Sequence, residues 1–355
     1  MISVEVRVRS QNYLARVGSG LINDLGPTVA KTLGGPRCAI ITDSNVAPLF
    51  GERVKQSLRS AGFQPALITV SAGEQFKTLD QAGLICDQML GAGLDRHSFV
   101  VGLGGGVIGD ISGFVAAIFQ RGIRHVQIPT TLLAMADSSI GGKTGVNTQD
   151  GKNLIGAVHH PSLVIDDVDL LKTLPDRELN QGFAEIIKHA VIADAEMFPQ
   201  LQEKKATEAL PSLIQRNIEL KARFVARDEF DRTGERALLN FGHTVGHAIE
   251  RAGDYQTFLH GEAISLGMVA ASTISMKKAG LPQDHRDKIV DLLRAFDLPT
   301  RLPENFPREK IFEVLKFDKK FEVGEIRFVL ASKIGSARLS REVTMEDIRE
   351  AVAQL

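Results

Sequence analysis

From Ile2 to Val8 every second residue is apolar (Ile2, Val4, Val6, Val8), the period of a half-buried strand, and residues 13–17 read as its hairpin partner. After that the rhythm becomes helix then strand. Residues 21–33, 45–60 and 79–90 have helical spacing, while 38–42, 66–70 and 98–103 are short apolar runs of the buried-strand kind. Residues 125–128 and 163–166 read as two further strands, and Pro129-Thr130-Thr131 reads as the start of a helical turn that continues to Ala136. This alternation predicts a parallel sheet with helices on both faces, where ligands bind beyond the carboxyl ends of the strands. From Pro175, which suits a first helical turn, the pattern is mostly helical. A late hairpin is suggested by residues 321–323 and 327–330 around Gly324, and Thr344 to Asp347 has a helix-start spacing of hydroxyl and carboxylate.

At 355 residues the chain exceeds the size at which one hydrophobic core stops growing, so two domains are expected, residues 1–176 and 177–355. A composition with 43% hydrophobic and 24% charged residues leaves enough apolar material for two cores. The net charge of -1 predicts no general attraction to nucleic acid or acidic membranes, so any basic site must be local. Cys38 and Cys86 lie far apart in apolar segments and read as small core residues. The alternating N-terminus has no signal-peptide apolar region, and no run approaches the ~18 apolar residues of a membrane span. A soluble, cytoplasmic protein is expected.

The stretch from Asp137 to Asn153 follows neither period. Gly141, Gly142, Gly145 and Gly151 free its backbone, and Lys143, Lys152 and Asn153 supply donors, so it reads as an anion-binding loop. Three strand ends before it carry polar groups: Asp43-Ser44-Asn45, then Gly73-Glu74-Gln75-Phe76-Lys77, then Gly104-Gly105-Gly106 leading into Val107-Ile108-Gly109-Asp110. Backbone N–H groups at a glycine-rich helix start suit a phosphate or pyrophosphate. The spacing matches neither G-x-G-x-x-G nor a P-loop, so it is the three ends together that point to a nucleotide.

In the second half, Glu185 and Lys188 share one helical face among apolar residues, where a charge needs a partner or a metal. His243 and His247 stand four apart, and His260-Gly261-Glu262 follows. A Glu/His/His set would suit zinc with one open position, although spacing does not choose between His243 and His247. Lys221, Arg236 and Asn240, added to Lys143, Lys152 and Lys188, suit a small polyanion carrying a carboxylate and a phosphate.

With those motifs in this order, together with Gly151-Lys152-Asn153, Ala184 to Lys188, Asn240 to His247 and Asp318-Lys319-Lys320, the chain resembles the 3-dehydroquinate synthases, a family of sugar-phosphate cyclases, over essentially its whole length. Departures are small; one is His160, where a glutamine is common. The resemblance implies an α/β N-terminal domain with a Rossmann-like parallel sheet and a mostly α-helical C-terminal domain. It implies zinc, with cobalt as an alternative, on Glu185, His243 and His260. His247 then lies near the substrate's phosphate, with Lys143, Asn153, Lys319 and, reaching from a second subunit of a homodimer, Arg121. Lys152, Lys188, Lys221, Arg236, Asn240 and Asp137 meet the carboxylate and hydroxyls. NAD lies on Asp43, Asn45, Glu74, Lys77, Gly105, Gly106, Val107, Ile108, Gly109, Asp110, Thr130, Thr131, Lys143 and Lys152, with Leu170, Leu171, Lys172 and Thr173 near it. The implied reaction converts 3-deoxy-D-arabino-heptulosonate 7-phosphate to 3-dehydroquinate and phosphate. It runs through transient oxidation by NAD, phosphate elimination, re-reduction, ring opening and aldol closure. Other readings of the same residues are a sister sugar-phosphate cyclase, a metal-dependent polyol dehydrogenase and a non-enzymatic dinucleotide-binding regulator. The charge cluster argues against the last two.

Overall fold

A computed structural model describes residues 1–149, 151–203, 208–317 and 327–355. The chain divides into two compact units, Met1–Leu174 with Ile214–Phe230, and Pro175–Leu213 with Asp231–Leu355.

In the first unit β1 (Ile2–Arg7) and β2 (Asn12–Gly18) form the expected antiparallel hairpin. There follow α1 (Leu25–Ala30), β3 (Arg37–Asp43), α2 (Glu52–Ser60), β4 (Gln64–Val70), α3 (Leu79–Gly91), β5 (Phe99–Gly104), α4 (Gly106–Ile118) and β6 (Arg124–Pro129). After the hairpin of β7 (Lys143–Thr148) and β8 (Gly151–Val158), β9 (Leu163–Asp167) returns to the main sheet. The strand order is β1-β2-β9-β6-β5-β3-β4, parallel except for the first pair. The chain steps from β3 outward to β4 and then back to β5 on the other side of β3. The carboxyl ends of β3 and β5 therefore flank a topological switch point, where an open α/β sheet takes its ligand.

Burial explains the strand patterns. The apolar residues of β3, β5 and β6 are buried on both faces, as a helix-covered parallel sheet requires. Helix α4 lies very close to this sheet: a Cβ on Gly102 would come within 2.2 Å of Ser112 Oγ. Ile108, Ile111 and Val115 of α4 join Ile41 and Val100 in one core.

Two expectations are corrected here. Residues 21–33 and 45–60 are not continuous α-helices. Each opens with a turn of different pitch (3₁₀ at Leu21–Asp24, π at Ala47–Gly51) before α1 and α2, and Gly26 packs so close to the Ser57 carbonyl that a Cβ there would lie 2.1 Å from it. The stretch 137–153 is not a loop throughout, because Lys143–Thr148 pairs with Gly151–Val158 as a hairpin. Its glycines misled the reading. Gly145 and Gly156 face each other across the pair, where a Cβ on either would lie 2.6 or 2.2 Å from the opposite carbonyl oxygen. Here glycine permits close backbone approach within a strand and does not mark a turn.

The second unit is built from α5 (Asp176–Ala193), α6 (Met197–Gln202), the start of α7 (Leu210–Arg227), α8 (His243–Ala252), α9 (His260–Ala279), α10 (Gln283–Ala295), α11 (Arg308–Phe317) and α12 (Met345–Ala353), with the hairpin of β10 (Phe328–Lys333) and β11 (Ser336–Ser340). The residues of α7 from Ile214 onward group with the first unit, although they lie past the boundary expected near residue 176. Helix α9 carries buried residues all round, and α5, α8, α10, α12 and β10 pack on it. Residues 321–323 of the expected late hairpin lie outside the described residues. The described hairpin turns at Gly335, whose N–H donates to the Val191 carbonyl of α5 at 2.8 Å.

Candidate active site

The three strand ends of the first unit carry the residues expected of a nucleotide site. Asp43 ends β3, and its Oδ1 accepts the N–H groups of Asn45 (2.8 Å) and Val46 (3.0 Å), so the carboxylate is fixed by its own turn. Past β4, Lys77 Nζ donates to Asp110 Oδ2 and to Asn153 Oδ1, both at 2.5 Å, and lies 4.0 Å from Glu74 Oε1. Asn147 joins the same network, donating to Glu74 Oε1 at 2.7 Å and accepting the Asn153 N–H at 2.9 Å. Burial raises the Asp110 carboxyl, with the Lys77 ammonium opposing the shift. Gly105 caps α4 without any side chain on its first N–H groups. Val107, Ile108 and Gly109 continue the first turn, and Thr131 lies where a Gly105 Cβ would touch its methyl group at 3.0 Å. Thr130 is buried, its N–H bonded to the Gly104 carbonyl at 3.0 Å.

Farther along, Asp137 closes a π-turn at Ala134–Ser138, a local irregularity often found at functional positions. Lys221 of α7 reaches its carbonyl at 2.6 Å and its Oδ1 at 2.9 Å. Lys143 opens β7 and is exposed; Lys152 is half-buried and Asn153 has a positive φ of 57°. Arg121 is exposed and also has a positive φ (69°), a conformation that a non-glycine residue rarely adopts without a reason. Leu170 and Leu171 are buried, while Lys172 and Thr173 lie exposed at the end of a 3₁₀ turn.

The second unit holds the metal-like residues on helices. Glu185 and Lys188 lie on α5, both about 1% exposed, and form a direct ion pair. His243 and His247 belong to the first two turns of α8, and His260 opens α9. Glycines bring these helices together: a Cβ on Gly267 would lie 2.0 Å from the Gly242 carbonyl oxygen, and one on Gly261 2.0 Å from that of Gln181. Glu185 Oε1 then lies 3.3 Å from His260 Nε2 and 3.5 Å from His243 Nε2. Each ring is oriented from its far side, since His243 Nδ1 meets the Phe241 carbonyl at 3.2 Å and His260 Nδ1 meets Glu250 Oε2 at 3.2 Å. Backbone-carbonyl and carboxylate partners of this kind direct the other ring nitrogen at a metal.

Electrostatics divide the two rings. Burial, reinforced by the Lys188 ammonium, holds His243 well below the ordinary histidine value, so it offers a lone pair. For His260 burial acts in the same direction, but hydrogen bonds to Glu185 and Glu250 outweigh it and push the pKa up to about 10. A proton on His260 Nε2 therefore sits where a cation would replace it. One carboxylate oxygen and two imidazole nitrogens suit a tetrahedral zinc with an open position. His247 is exposed, and its ring nitrogen lies within 4.8 Å of those offered by His243 and His260. Arg236 (4% exposed) and Asn240 lie in a 3₁₀ turn just before α8. Lys319 lies outside the described residues.

Sequence reading missed Glu250, which is 3% exposed and holds His260. Its signal was present, because positions 243, 247 and 250 share one helical face. Asn147, the link from Glu74 to Asn153, gave no signal beyond its place in a polar stretch.

Residues 67–181 match the family model described as 3-dehydroquinate synthase N-terminal, and residues 182–321 the one described as 3-dehydroquinate synthase C-terminal. The chain is 41% identical to the 3-dehydroquinate synthase of Desulforamulus reducens over 100% of both chains. It is 45% identical to that of Symbiobacterium thermophilum over 96% of each. Among solved structures it is similar to the 2-epi-5-epi-valiolone synthase of Streptomyces hygroscopicus subsp. jinggangensis with NAD+ and Zn2+ bound, with a TM-score of 0.87 and 29% identity over 98% of each chain. No helix among the described residues is long and apolar enough to cross a membrane. Two consecutive family models and relatives matched over 96% or more of their length lead to one conclusion: the chain belongs to the 3-dehydroquinate synthase family.

Proposed function

We propose that this chain converts 3-deoxy-D-arabino-heptulosonate 7-phosphate to 3-dehydroquinate and phosphate, using NAD catalytically and a divalent metal, zinc or alternatively cobalt, on Glu185, His243 and His260. The observation that carries this reading is a buried carboxylate oxygen 3.3 and 3.5 Å from two imidazole nitrogens, each ring oriented from behind. Bound there, the metal supplies Lewis acidity that lowers the pKa of a substrate hydroxyl. NAD supplies the reversible hydride acceptor.

The remaining work falls to the chain. In the first unit Asp43 and Asn45, Glu74 and Lys77, the residues from Gly105 to Asp110, Thr130, Thr131 and Leu170 to Thr173 hold the dinucleotide. The uncapped N-terminus of α4 at the switch point supports its pyrophosphate there. Lys143, Lys152 and Asn153 hold the substrate's anionic groups and stabilise the departing phosphate, the main electrostatic demand of an elimination. Asp137 and Lys221 orient its hydroxyls. In the second unit Lys188, Arg236 and Asn240 meet the carboxylate and ring oxygens, and His247, with Lys319, takes the phosphate, which accepts the neighbouring C–H proton. Arg121 serves the site of a second copy in a homodimer. Leu154, Ile155 and Val158 of β8, 63%, 39% and 36% exposed, and Ile118, 44% exposed, support an apolar contact for that copy. Two unpaired cysteines, Cys38 raised by burial to about 12, suit the reducing cytoplasm in which we place the enzyme.

The test is phosphate release from the heptulosonate phosphate with sub-stoichiometric NAD, before and after chelation, with NADH absorbance followed in the same cuvette. Release beyond the NAD supplied, lost on chelation and without net NADH, is expected. No release, with turnover of another sugar phosphate, would move the chain to a sister cyclase. NADH accumulating on a polyol would overturn the cyclase chemistry.

A further inference from the structure

The backbone that leads into Lys143 is not held by its own conformation. Gly141 and Gly142 have φ of +98° and +68°, a region glycine enters and leaves freely, so tertiary contacts must fix it. Three do so. The Gly141 N–H donates to the Tyr13 hydroxyl at 3.2 Å, and the Gly142 carbonyl accepts the His159 N–H at 2.8 Å. The ring of His160 lies flat against Gly142, where a Cβ would fall 2.7 to 3.0 Å from three ring atoms. That ring is in turn fixed by Glu229, two residues past the end of α7, whose Oε1 accepts His160 Nε2–H at 3.1 Å. Glu229 is itself anchored, accepting the Ser10 hydroxyl and, at 3.0 Å, the Arg9 N–H. Both partners are buried, with side chains 3% and 1% exposed. Burial works to raise the Glu229 carboxyl, but Ser10, His160 and the Arg9 N–H outweigh it, so it stays ionised as the ring's acceptor. Lys221, on α7 itself, holds Asp137 at the other end of the same stretch.

We propose that His160 and Glu229 are a positioning pair that sets the Gly141-Gly142 backbone and thereby aims Lys143 at the substrate's phosphate. This rests on the reading of Lys143 as a phosphate contact. A side chain displaced by an ångström costs rate and affinity without any change in its own chemistry. A ring held between a carboxylate and a Cα has no such displacement available.

The experiment compares His160→Leu, His160→Gln, Lys143→Ala and the double variant His160→Leu with Lys143→Ala, in the zinc- and NAD-loaded full chain. His160→Leu is expected to raise KM for the heptulosonate phosphate roughly tenfold and to lower kcat with it, with zinc content unchanged. His160→Gln, whose amide can still donate to Glu229, is expected to return KM to within about threefold of the parent. In the Lys143→Ala background His160→Leu should add nothing, since its effect passes through that lysine. If Lys143→Ala raises KM but His160→Leu does not, or if the two effects multiply, the positioning role is wrong and the phosphate contact survives. If Lys143→Ala leaves KM unchanged, both fall. Should His160→Leu not fold, Glu229→Gln takes its place, and an unchanged KM there overturns the proposal.

Discussion

The two units hold their polar side chains in opposite ways. In the first, the functional groups come from the segment after β4, from α4 and from the β7–β8 hairpin, and satisfy one another: Lys77 spans Asp110 and Asn153, and Asn147 spans Glu74 and the Asn153 N–H. In the second, Glu185, His243 and His260 stand on α5, α8 and α9, whose backbones approach until no Cβ fits at Gly261 or Gly267. Order in this polar network depends on the side chains themselves, so losing one partner frees the others. The helices that carry the histidine cluster are set by main-chain packing, with the Phe241 carbonyl and Glu250 orienting the rings from behind, so losing one of the three side chains leaves the others in place. A dinucleotide, long and many-pointed, suits the first arrangement; a cation, which needs donors at one point, suits the second.

The largest effect that sharpens this contrast is expected from Glu185→Gln. Loss of the carboxylate should abolish stoichiometric metal and lower turnover about a thousandfold, the worth of several kcal/mol of Lewis-acid stabilisation. Metal analysis of the purified variant is the check, and full zinc content would remove Glu185 from the ligand set. Next comes Lys77→Met, which strands Asp110 beside Glu74 without its ammonium. A destabilisation of about 3 kcal/mol and weaker NAD binding are expected, read by denaturant melts and by titration of NAD. If stability and NAD affinity both hold, the polar network is not interdependent. Glu250→Gln should leave the fold intact and weaken zinc by about 10- to 100-fold, measured by competition with a chromogenic chelator. An unchanged zinc affinity would mean that main-chain packing alone orients His260.

The smallest effect concerns α12, which neither site uses. Asp347 accepts the Thr344 N–H and hydroxyl at 2.9 and 2.8 Å and pairs with Lys277 and Lys278 at 3.0 and 3.1 Å. Burial opposes ionisation, but these partners hold its carboxyl well below the ordinary aspartate value. Its pKa is thus lower in the folded than in the unfolded chain. Its contribution is complete above the ordinary aspartate value and is lost as the pH falls from there through the lower folded value. Asp347→Asn should cost about 1 kcal/mol at pH 7, with the gap from the parent closing in acid. A gap that persists at low pH would assign the loss to packing.

Much of the fold was legible from local pattern. Period-two alternation marked β1, and apolar runs marked β3, β4, β5 and β9; in β3, β5 and β9 the run is buried, because a helix-covered strand must be apolar on both faces. The strand-end motifs were legible because glycine and acid residues stand out against such runs. The β7–β8 hairpin was not. Gly145 and Gly156 serve close approach between its strands, and from sequence that use is indistinguishable from a turn.

The sequence by itself determined which residue types stand ready: three histidines and a buried-type glutamate, a glycine-opened helix, a cation-rich stretch and the order of the strands. Only the tertiary structure decided how they meet. Which face of His243 and His260 turns toward Glu185 depends on Phe241 and Glu250, and on helices brought together by Gly261 and Gly267. That His160 backs onto Gly142 depends on Glu229, 69 residues later in the chain. Local pattern reports what a residue can bury or donate. Its partner is chosen by packing between segments distant in sequence, and no local periodicity encodes that choice.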